Sequence, residues 1–340
     1  MNSFDNGRLK RIDTWMQRYV EQGKFPGSTM MLAQGGNVVH RATVGLRDID
    51  SGTPFEQDTI VRIYSMTKPI TTVALMTLVE KGLFHLEAPI SDFIPEFANA
   101  RALIPGATSL GQTEPCAPPT VHQVATHTSG LTYSFNPGLL AGAYKEHQLD
   151  FGPDGPGLAQ VAQKVASQPL SFHPGSRWEY SVGIDILGRI IEVVSGKTLA
   201  QFFADEIFEP LGMKDTHFTL PDDQARRFAS LYTSSFDDPM GLGQKVDQII
   251  CRQVDNATDS PYRTTSTYSG GGGLLSTADD YFCFAEMLRQ GGSYNGQRIL
   301  SPATLSFMQQ NHLPGDIASM GPKSFAEMPM HGVGFGLGWA

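Results

Sequence analysis

The chain has 340 residues, of which 40% are apolar and 17% charged, and its net charge is −9. Enough apolar residues are present to build a large core, which excludes a disordered chain. An acidic protein is repelled by the phosphates of nucleic acids and by anionic membranes, so neither is expected as a partner. The sequence has no run of 18 apolar residues and no signal-peptide core near its start, so we expect a cytoplasmic protein.

The first part of the chain predicts a helix, a hairpin and a buried helix. Residues 5–22 carry apolar side chains at helical spacing, and two β-prone segments follow at 28–33 and 38–44. Ser65 then precedes a run that is apolar on nearly every side and stops at Gly82. Such a run is typical of a helix inside a core.

The rest of the chain predicts a mainly helical middle. Segments 99–120 and 221–268 are irregular and polar or rich in proline and glycine, which favours loops. The run Gly270 to Gly273 suggests a close approach of sheet to helix, and the segment GVGFGLGWA at the C-terminus predicts a glycine-rich strand. Helical spacing recurs in four further segments: 121–127, 182–195, 198–208 and 277–289.

This order of segments predicts an α+β fold, an α/β lobe plus a helical lobe. One antiparallel sheet would be built from both chain ends, with the mainly helical lobe inserted between them. We place the α/β lobe at about 1–64 and 265–340 and the helical lobe at about 65–264, within one domain spanning 8–340.

Ser65 and Lys68 stand at the start of the predicted buried helix. Their spacing puts both side chains on one helix face, so that they can touch. A serine needs a base to take its proton, and a lysine with an ordinary pKa near ~10.4 is protonated at neutral pH. Burial and the positive end of a helix dipole both disfavour the charged form. The pair is therefore suited to nucleophilic attack, although a capping serine beside a solvated lysine would give the same pattern.

Tyr180 precedes the predicted helix at 182–195. A tyrosine beside a lysine can relay a proton between a nucleophile and a leaving group, although alone this residue fits an ordinary core aromatic better.

Several other signatures do not occur in the sequence: G-x-S-x-G, H-E-x-x-H, and the Walker and Rossmann glycine patterns. We therefore expect neither a metal nor a cofactor.

Four segments resemble, in the same order, motifs of the serine β-lactamase-related and penicillin-binding-protein-like family. They are YSMTKPITTVALMTLVEKG, ATHTSGLTY, FHPGSRWEYSVGIDILG and GGGGLLSTADDYFCFAEML. Within that family the chain looks most like bacterial carboxylesterases related to class C β-lactamases. The resemblance implies a β-lactamase/transpeptidase-like fold, with Ser65 as nucleophile, Lys68 as its base partner and Tyr180 as proton relay. It also makes Tyr133 a candidate for the wall of the substrate pocket, with a surface loop aromatic as the alternative.

Two departures from the family pattern affect the choice of substrate. Where β-lactamases and peptidases of the family usually carry Y-x-N, this chain has Tyr180-Ser181-Val182, and valine cannot hydrogen-bond an amide. The third family motif, K-T-G, H-x-G or W-G-G, is absent before the chain stops at Trp339-Ala340, and Trp339 is a candidate substrate-binding residue as the start of such a motif. We therefore expect the last part of the domain to be missing.

The sequence thus favours a serine hydrolase that forms an acyl-enzyme on Ser65 and cleaves small acyl esters, as a carboxylesterase. A β-lactamase or D-amino-acid peptidase is the enzymatic alternative. A truncated homologue that keeps the fold without catalysis is the other. The expected partner is a small-molecule ester, and the sequence does not indicate an oligomeric state.

Overall fold

Helices and short antiparallel strand pairs alternate along the chain in the computed structural model, which describes residues 4–234, 251–325 and 328–340. The α-helices are α1 (Asn6–Glu21), α2 (Thr67–Glu80), α3 (Val121–Ala125), α4 (Leu139–His147), α5 (Leu158–Ala166), α6 (Gly183–Ser195), α7 (Leu199–Phe203), α8 (Glu209–Leu211), α9 (Ala278–Arg289), α10 (Pro302–Met308) and α11 (Ile317–Met320). The strands are β1 (Gly27–Gln34), β2 (Asn37–Asp48), β3 (Thr53–Pro54), β4 (Val61–Arg62), β5 (Arg101–Leu103), β6 (Thr113–Pro115), β7 (Leu231–Ser234), β8 (Cys251–Asp255), β9 (Leu275–Ser276), β10 (Ser293–Tyr294), β11 (Gln297–Arg298), β12 (Ser324–Phe325) and β13 (Met328–Pro329).

A three-stranded antiparallel sheet in the order β1-β2-β3 forms the first layer, and α1 packs on it. The side chain of Asp5 caps α1 by accepting the N–H of Arg8 at 2.8 Å, which satisfies one of the free donors of the first turn. Strands from the two halves of the chain meet where β4 pairs antiparallel with β9. The predicted helix at 5–22, the predicted hairpin and the α+β fold class are confirmed.

Helix α2 lies in the main core and is buried along most of its length. It packs against α6, which in turn contacts α3, α5 and α7. Each large aliphatic side chain that is buried in this way contributes about 1.5–3 kcal/mol. The core therefore fixes the position of α2, and with it the residues at its N-terminus. Gly82, with φ of 70°, follows the last turn as predicted.

Two segments that were predicted as loops contain strand pairs. Within 99–120, β5 pairs with β6, and Pro105, Gly106 and Gly111 lie in the connection between them. Within 221–268, β7 pairs with β8, while residues 235–250 of this prediction lie outside the described residues. Both pairs are short, so they show no alternating apolar pattern long enough to be recognised in the sequence.

The prediction of a strand in GVGFGLGWA was wrong. The backbone N–H of Leu337 binds the carbonyl of Met308, and that of Gly338 binds the carbonyl of Ala125, so these donors meet the ends of helices rather than a neighbouring strand. Gly338 also adopts φ of 92°, which a strand does not permit. No helix in the described parts of the chain is both long enough and apolar enough to cross a bilayer.

Candidate active site

Ser65 lies in a sharp turn between β4 and α2. A 3₁₀ turn, Tyr64–Met66, joins the strand to the helix, and Tyr64 adopts the left-handed conformation with φ of 44°. This conformation costs a non-glycine residue roughly 1–2 kcal/mol. The turn leaves Ser65 exposed, while Lys68 on the first turn of α2 points into the core with 3% of its surface exposed.

The Lys68 amine contacts three groups from three separate segments. Its Nζ atom lies 3.2 Å from Oγ of Ser65, 3.1 Å from the hydroxyl of Tyr133 and 2.6 Å from the carbonyl oxygen of Gly271. These three contacts match the hydrogen-bonding capacity of a lysine amine, so the buried group is fully satisfied. The structure thus brings together the serine and the lysine that the sequence analysis selected.

Tyr180 approaches Ser65 from the other side. Its hydroxyl donates to Oγ of Ser65 at 2.6 Å, and Nζ of Lys68 lies 4.6 Å from the centre of its ring. The backbone of Tyr180 is fixed because its carbonyl accepts the side-chain amide of Asn136 at 2.7 Å. The ring of Tyr180 therefore lies against the amine of Lys68, while its hydroxyl contacts Ser65.

Tyr133 is buried, with 7% of its surface exposed, so the alternative of a surface loop aromatic was wrong. Its ring stacks on Phe135 at 4.9 Å between centroids and lies 5.2 Å from that of Tyr180. Burial, and then the negative charge of Asp185, raise the pKa of Tyr133 well above its usual value, so it remains a neutral phenol. Its hydroxyl contacts Lys68, and its role as a wall of the substrate pocket stays a prediction.

Asp185 and Gly271 complete the surroundings of Lys68, and sequence reasoning missed the role of both. Oδ1 of Asp185 accepts the backbone N–H of Gly271 at 2.9 Å and the hydroxyl of Ser269 at 2.5 Å. Burial raises the pKa of Asp185 to about 6, and the Lys68 charge opposes that increase. A carboxylate inside the apolar stretch IDIL of the sequence was the signal that could have identified Asp185.

The glycine run at 270–273 is a tight approach of a loop to two helices rather than of a sheet to a helix. A Cβ atom on Gly271 would lie 2.3 Å from Oδ2 of Asp185 and 2.9 Å from the Tyr133 hydroxyl. A Cβ on Gly270 would lie 3.0 Å from the carbonyl of Ile184 in α6 and from the methyl group of Thr71 in α2. At Gly271 in particular, no side chain fits between the two functional groups.

Trp339 is partly buried and packs against the main core. Its carbonyl accepts the N–H of Gly336 at 2.8 Å. Among residues 4–234, 251–325 and 328–340, no hydrogen bond or ring contact joins Trp339 to Ser65 or Tyr180. Its role in substrate binding stays a prediction.

Large apolar side chains are exposed near Ser65, a feature that the sequence did not predict. They are Tyr64, Met66 and Phe135, and the ring of Phe325 lies 5.1 Å from that of Tyr180. In the described segments, no three His, Cys, Asp or Glu side chains gather as a metal site requires.

A family model described as Beta-lactamase matches residues 12–339. The chain belongs to the beta-lactamase family. Esterase EstB of Burkholderia gladioli is 31% identical to this family member, over 82% of this chain and 69% of that protein. Lovastatin esterase of Penicillium rubens is also 31% identical, over 96% of this chain and 82% of that protein.

The solved structure of EstCE1, described as a hydrolase with promiscuous acyltransferase activity, superimposes on this beta-lactamase family member with a TM-score of 0.76. The two are 27% identical, and the match covers 98% of this chain and 82% of EstCE1. The family resemblance and the β-lactamase/transpeptidase-like fold predicted from the sequence are confirmed. Two of these relatives are named esterases and the third a hydrolase, which supports the hydrolase class.

Proposed function

We propose that this protein is a carboxylesterase that cleaves small acyl esters through an acyl-enzyme on Ser65. One arrangement carries the proposal: Oγ of Ser65 lies 2.6 Å from the hydroxyl of Tyr180 and 3.2 Å from Nζ of Lys68. An exposed serine that contacts two proton-transfer groups on its inner side is arranged for covalent catalysis. The apolar side chains around Ser65 suit the acyl part of an ester.

In the acylation step, Oγ of Ser65 attacks the ester carbonyl carbon while its proton passes to the amine of Lys68. A neutral Lys68 amine has two N–H groups and one lone pair. One N–H can donate to the carbonyl of Gly271 and the other to the hydroxyl oxygen of Tyr133, which leaves the lone pair for the proton of Ser65. The bond from Oγ to the acyl carbon forms and a tetrahedral oxyanion develops. The backbone N–H of Ser65 is one proposed donor to this oxyanion.

The intermediate then collapses and the ester C–O bond breaks. Tyr180 gives its hydroxyl proton to the departing alkoxide and regains a proton from the Lys68 ammonium, so that the alcohol leaves neutral. Water next attacks the acyl carbon and passes one proton to the same pair. Ser65 recovers that proton as the carboxylic acid departs, which returns the site to its starting state.

The buried position of Val182 supports an ester rather than an amide substrate. Val182 precedes α6 and is fully buried in the main core, so this position offers the site no group that could hydrogen-bond a substrate amide. Polar recognition of an amide depends on such groups, because an unpaired amide in a binding site weakens binding. β-Lactam or peptide hydrolysis is therefore the weaker alternative.

Hydrolysis of 4-nitrophenyl butyrate and of a chromogenic cephalosporin by the same preparation tests this choice. We expect turnover of the ester to exceed that of the β-lactam by at least about 10²-fold, as expected when the polar contacts that amide recognition needs are missing. The Ser65→Ala variant should lose both activities. A higher rate on the cephalosporin would reverse the assignment.

Covalent labelling tests the non-catalytic alternative. A fluorophosphonate probe should form one adduct on Ser65 of the folded protein, identified by peptide mass spectrometry, and none in Ser65→Ala. An absent adduct in folded wild-type protein would favour a homologue without catalysis.

Acyl transfer to an alcohol is a second candidate function. It is favoured by the description of EstCE1 and by the apolar, exposed surroundings of Ser65. Adding 1-butanol to the 4-nitrophenyl butyrate reaction and measuring butyl butyrate against butyric acid separates the two. Hydrolysis as the main activity predicts acid as the principal product.

A further inference from the structure

We propose that Asp185 is a positioning residue that holds the Lys68 amine against Ser65 through the backbone of Gly271. The inference rests on the proposed esterase function. The N–H of Gly271 donates to Asp185 at 2.9 Å, and its carbonyl accepts from Lys68 at 2.6 Å. The backbone of one residue thus connects a buried carboxylate to the amine proposed to activate Ser65.

The N–H and the carbonyl of Gly271 belong to two successive peptide groups, and each faces a group of opposite charge. The N–H faces the carboxylate of Asp185, and the carbonyl oxygen faces the amine of Lys68. Turning the first peptide group over would put the carbonyl of Gly270 against Asp185, which is repulsive. Asp185 therefore fixes the backbone conformation in which the Gly271 carbonyl is available to Lys68.

Ser269 strengthens the anchor from the same loop. Its hydroxyl donates to the same Oδ1 atom of Asp185 at 2.5 Å, and its own Oγ accepts the N–H of Gly272 at 3.0 Å. The carboxylate thus fixes the loop before and at Gly271. Since a Cβ on Gly271 would overlap Asp185, the connection also explains why a glycine stands there.

The burial of Asp185 argues against a role in stability alone. It is 1% exposed and lies between Ile184 and Ile186, both fully buried in α6. Burying a carboxylate among apolar residues is destabilising unless it is well paired. Three charged or titratable groups face it: Lys68, Asp150 and Tyr133. The charge of Lys68 opposes the increase that burial causes in the pKa of Asp185. A buried charge that costs stability is expected where it serves catalysis.

Substitution of Asp185 tests the inference, with ester hydrolysis, thermal unfolding and phosphonylation as readouts. Asp185→Asn keeps an oxygen that can accept the Gly271 N–H but removes the charge. Asp185→Ala removes both. We expect Asp185→Ala to lower kcat about 10²-fold, the loss that follows from misplacing a catalytic group by about 1 Å, with KM changed less than threefold.

Asp185→Asn should lower kcat by about tenfold, because the anchor persists without its charge. Loss of a negative charge also disfavours protonation of the neighbouring amine. The acidic limb of the kcat/KM profile should therefore move to lower pH by about one unit. A role of Asp185 in folding alone would lower the unfolding temperature without moving this limb.

Asp280 provides the matched control. It is also a buried aspartate, 7% exposed, that accepts one backbone N–H, from Asp215 at 2.7 Å, and one hydroxyl, from Thr216 at 2.8 Å. It lies in α9 and is not part of the proposed catalytic groups. Asp280→Asn should affect stability while leaving kcat and the pH profile of the folded protein unchanged.

The outcomes separate the inference from the proposed function. A wild-type protein without ester hydrolysis or a Ser65 adduct would overturn the proposed function. A wild type that hydrolyses the ester, with folded Asp185→Ala retaining kcat within threefold, would overturn the role of Asp185 alone. If Asp185→Ala does not fold, Asp185→Asn decides: an unchanged pH profile and an unchanged rate of phosphonylation of Ser65 contradict the inference, and a shifted profile supports it.

Discussion

The hydroxyl of Tyr180 lies 2.6 Å from Oγ of Ser65, although the two residues are 115 positions apart in the chain. The same ring contacts the amine of Lys68, so one tyrosine touches both the proposed nucleophile and its base partner. This placement suits a group that transfers a proton to the leaving alcohol rather than one that only fills space.

Tyr180→Phe should therefore affect poor leaving groups most. A methyl ester leaves as a strongly basic alkoxide and needs the proton, whereas nitrophenolate leaves without it. We expect kcat on methyl butyrate to fall by about 10²–10⁴-fold and kcat on 4-nitrophenyl butyrate to fall much less. The ring that packs on Lys68 is retained, so the unfolding temperature should not change. Equal losses on the two esters would contradict a role as proton donor.

Tyr133→Phe distinguishes a partner of Lys68 from a wall of the substrate pocket. The substitution removes the hydroxyl that lies 3.1 Å from Nζ and keeps the stacking on Phe135. Since the Lys68 amine loses one of its hydrogen-bond partners and is less well oriented, kcat should fall by about tenfold with little change in KM. A rise in KM with unchanged kcat would instead identify Tyr133 as a residue that binds substrate.

Phe135→Ala tests whether the apolar surface beside Ser65 binds the acyl chain. Phe135 is exposed and stacks on Tyr133, so its ring is available to a substrate. Each buried CH₂ contributes about 0.8 kcal/mol. KM for 4-nitrophenyl hexanoate should rise severalfold, whereas KM for the acetate should remain the same. Steady-state kinetics over the acyl series, with Phe307→Ala as a control at an exposed phenylalanine of α10, measures the difference.

The stability of the protein should depend on pH through Asp185. Burial raises the pKa of this carboxyl from 3.8 to about 6, so the folded state prefers the protonated form. Its contribution to the free energy of unfolding is therefore fully present below pH ~4 and is lost as the pH rises through about 6, an effect of about 3 kcal/mol. Urea unfolding of wild type and Asp185→Asn at pH 4.5 and 7.5 should show the variant gaining relative stability at the higher pH. A pH-independent difference between the two proteins would show that Asp185 does not titrate in this way.

Arg62 in β4 forms a buried ion pair that fixes the strand leading to Ser65. Its guanidinium donates to the carboxylate of Asp255 and to the carbonyl of Ala229, and it lies 4.0 Å from the centre of the Phe228 ring. Arg62→Met leaves the largely buried carboxylate of Asp255 without its arginine partner, so the free energy of unfolding should fall by about 3–5 kcal/mol. The double variant Arg62→Met, Asp255→Leu should recover much of this loss in urea unfolding. No recovery would mean that the pair acts through packing rather than charge.

The sequence predicted the parts of the site that depend on local spacing and on motif order. Ser65 and Lys68 are three residues apart at the start of a long apolar run, and Tyr180 stands in a segment that resembles a family motif. The contacts of Lys68 with Tyr133 and Gly271 could not be predicted, because they join segments that only the packed core brings together. Asp185 looked like an isolated charge in an apolar helix until the loop that it anchors was in place.

The same reason explains the errors in the fold. A strand exists only if a neighbouring strand accepts its hydrogen bonds, and periodicity within one segment does not reveal that neighbour. In GVGFGLGWA the backbone N–H groups of Leu337 and Gly338 donate to carbonyls at the ends of helices instead. Helices such as α2 and α6 were predicted well because their hydrogen bonds are internal and their apolar faces are visible in the sequence. The boundaries proposed between the two lobes stay a prediction.

The burial of Lys68 has a practical consequence for attaching the protein to a support. Reagents that acylate amines need a solvent-exposed nitrogen, and Lys10, Lys24 and Lys197 provide one at the surface, whereas Lys68 does not. Coupling through surface amines should therefore spare the amine beside Ser65. The immobilised protein would then keep its reactivity, which is an advantage for use as a reusable catalyst.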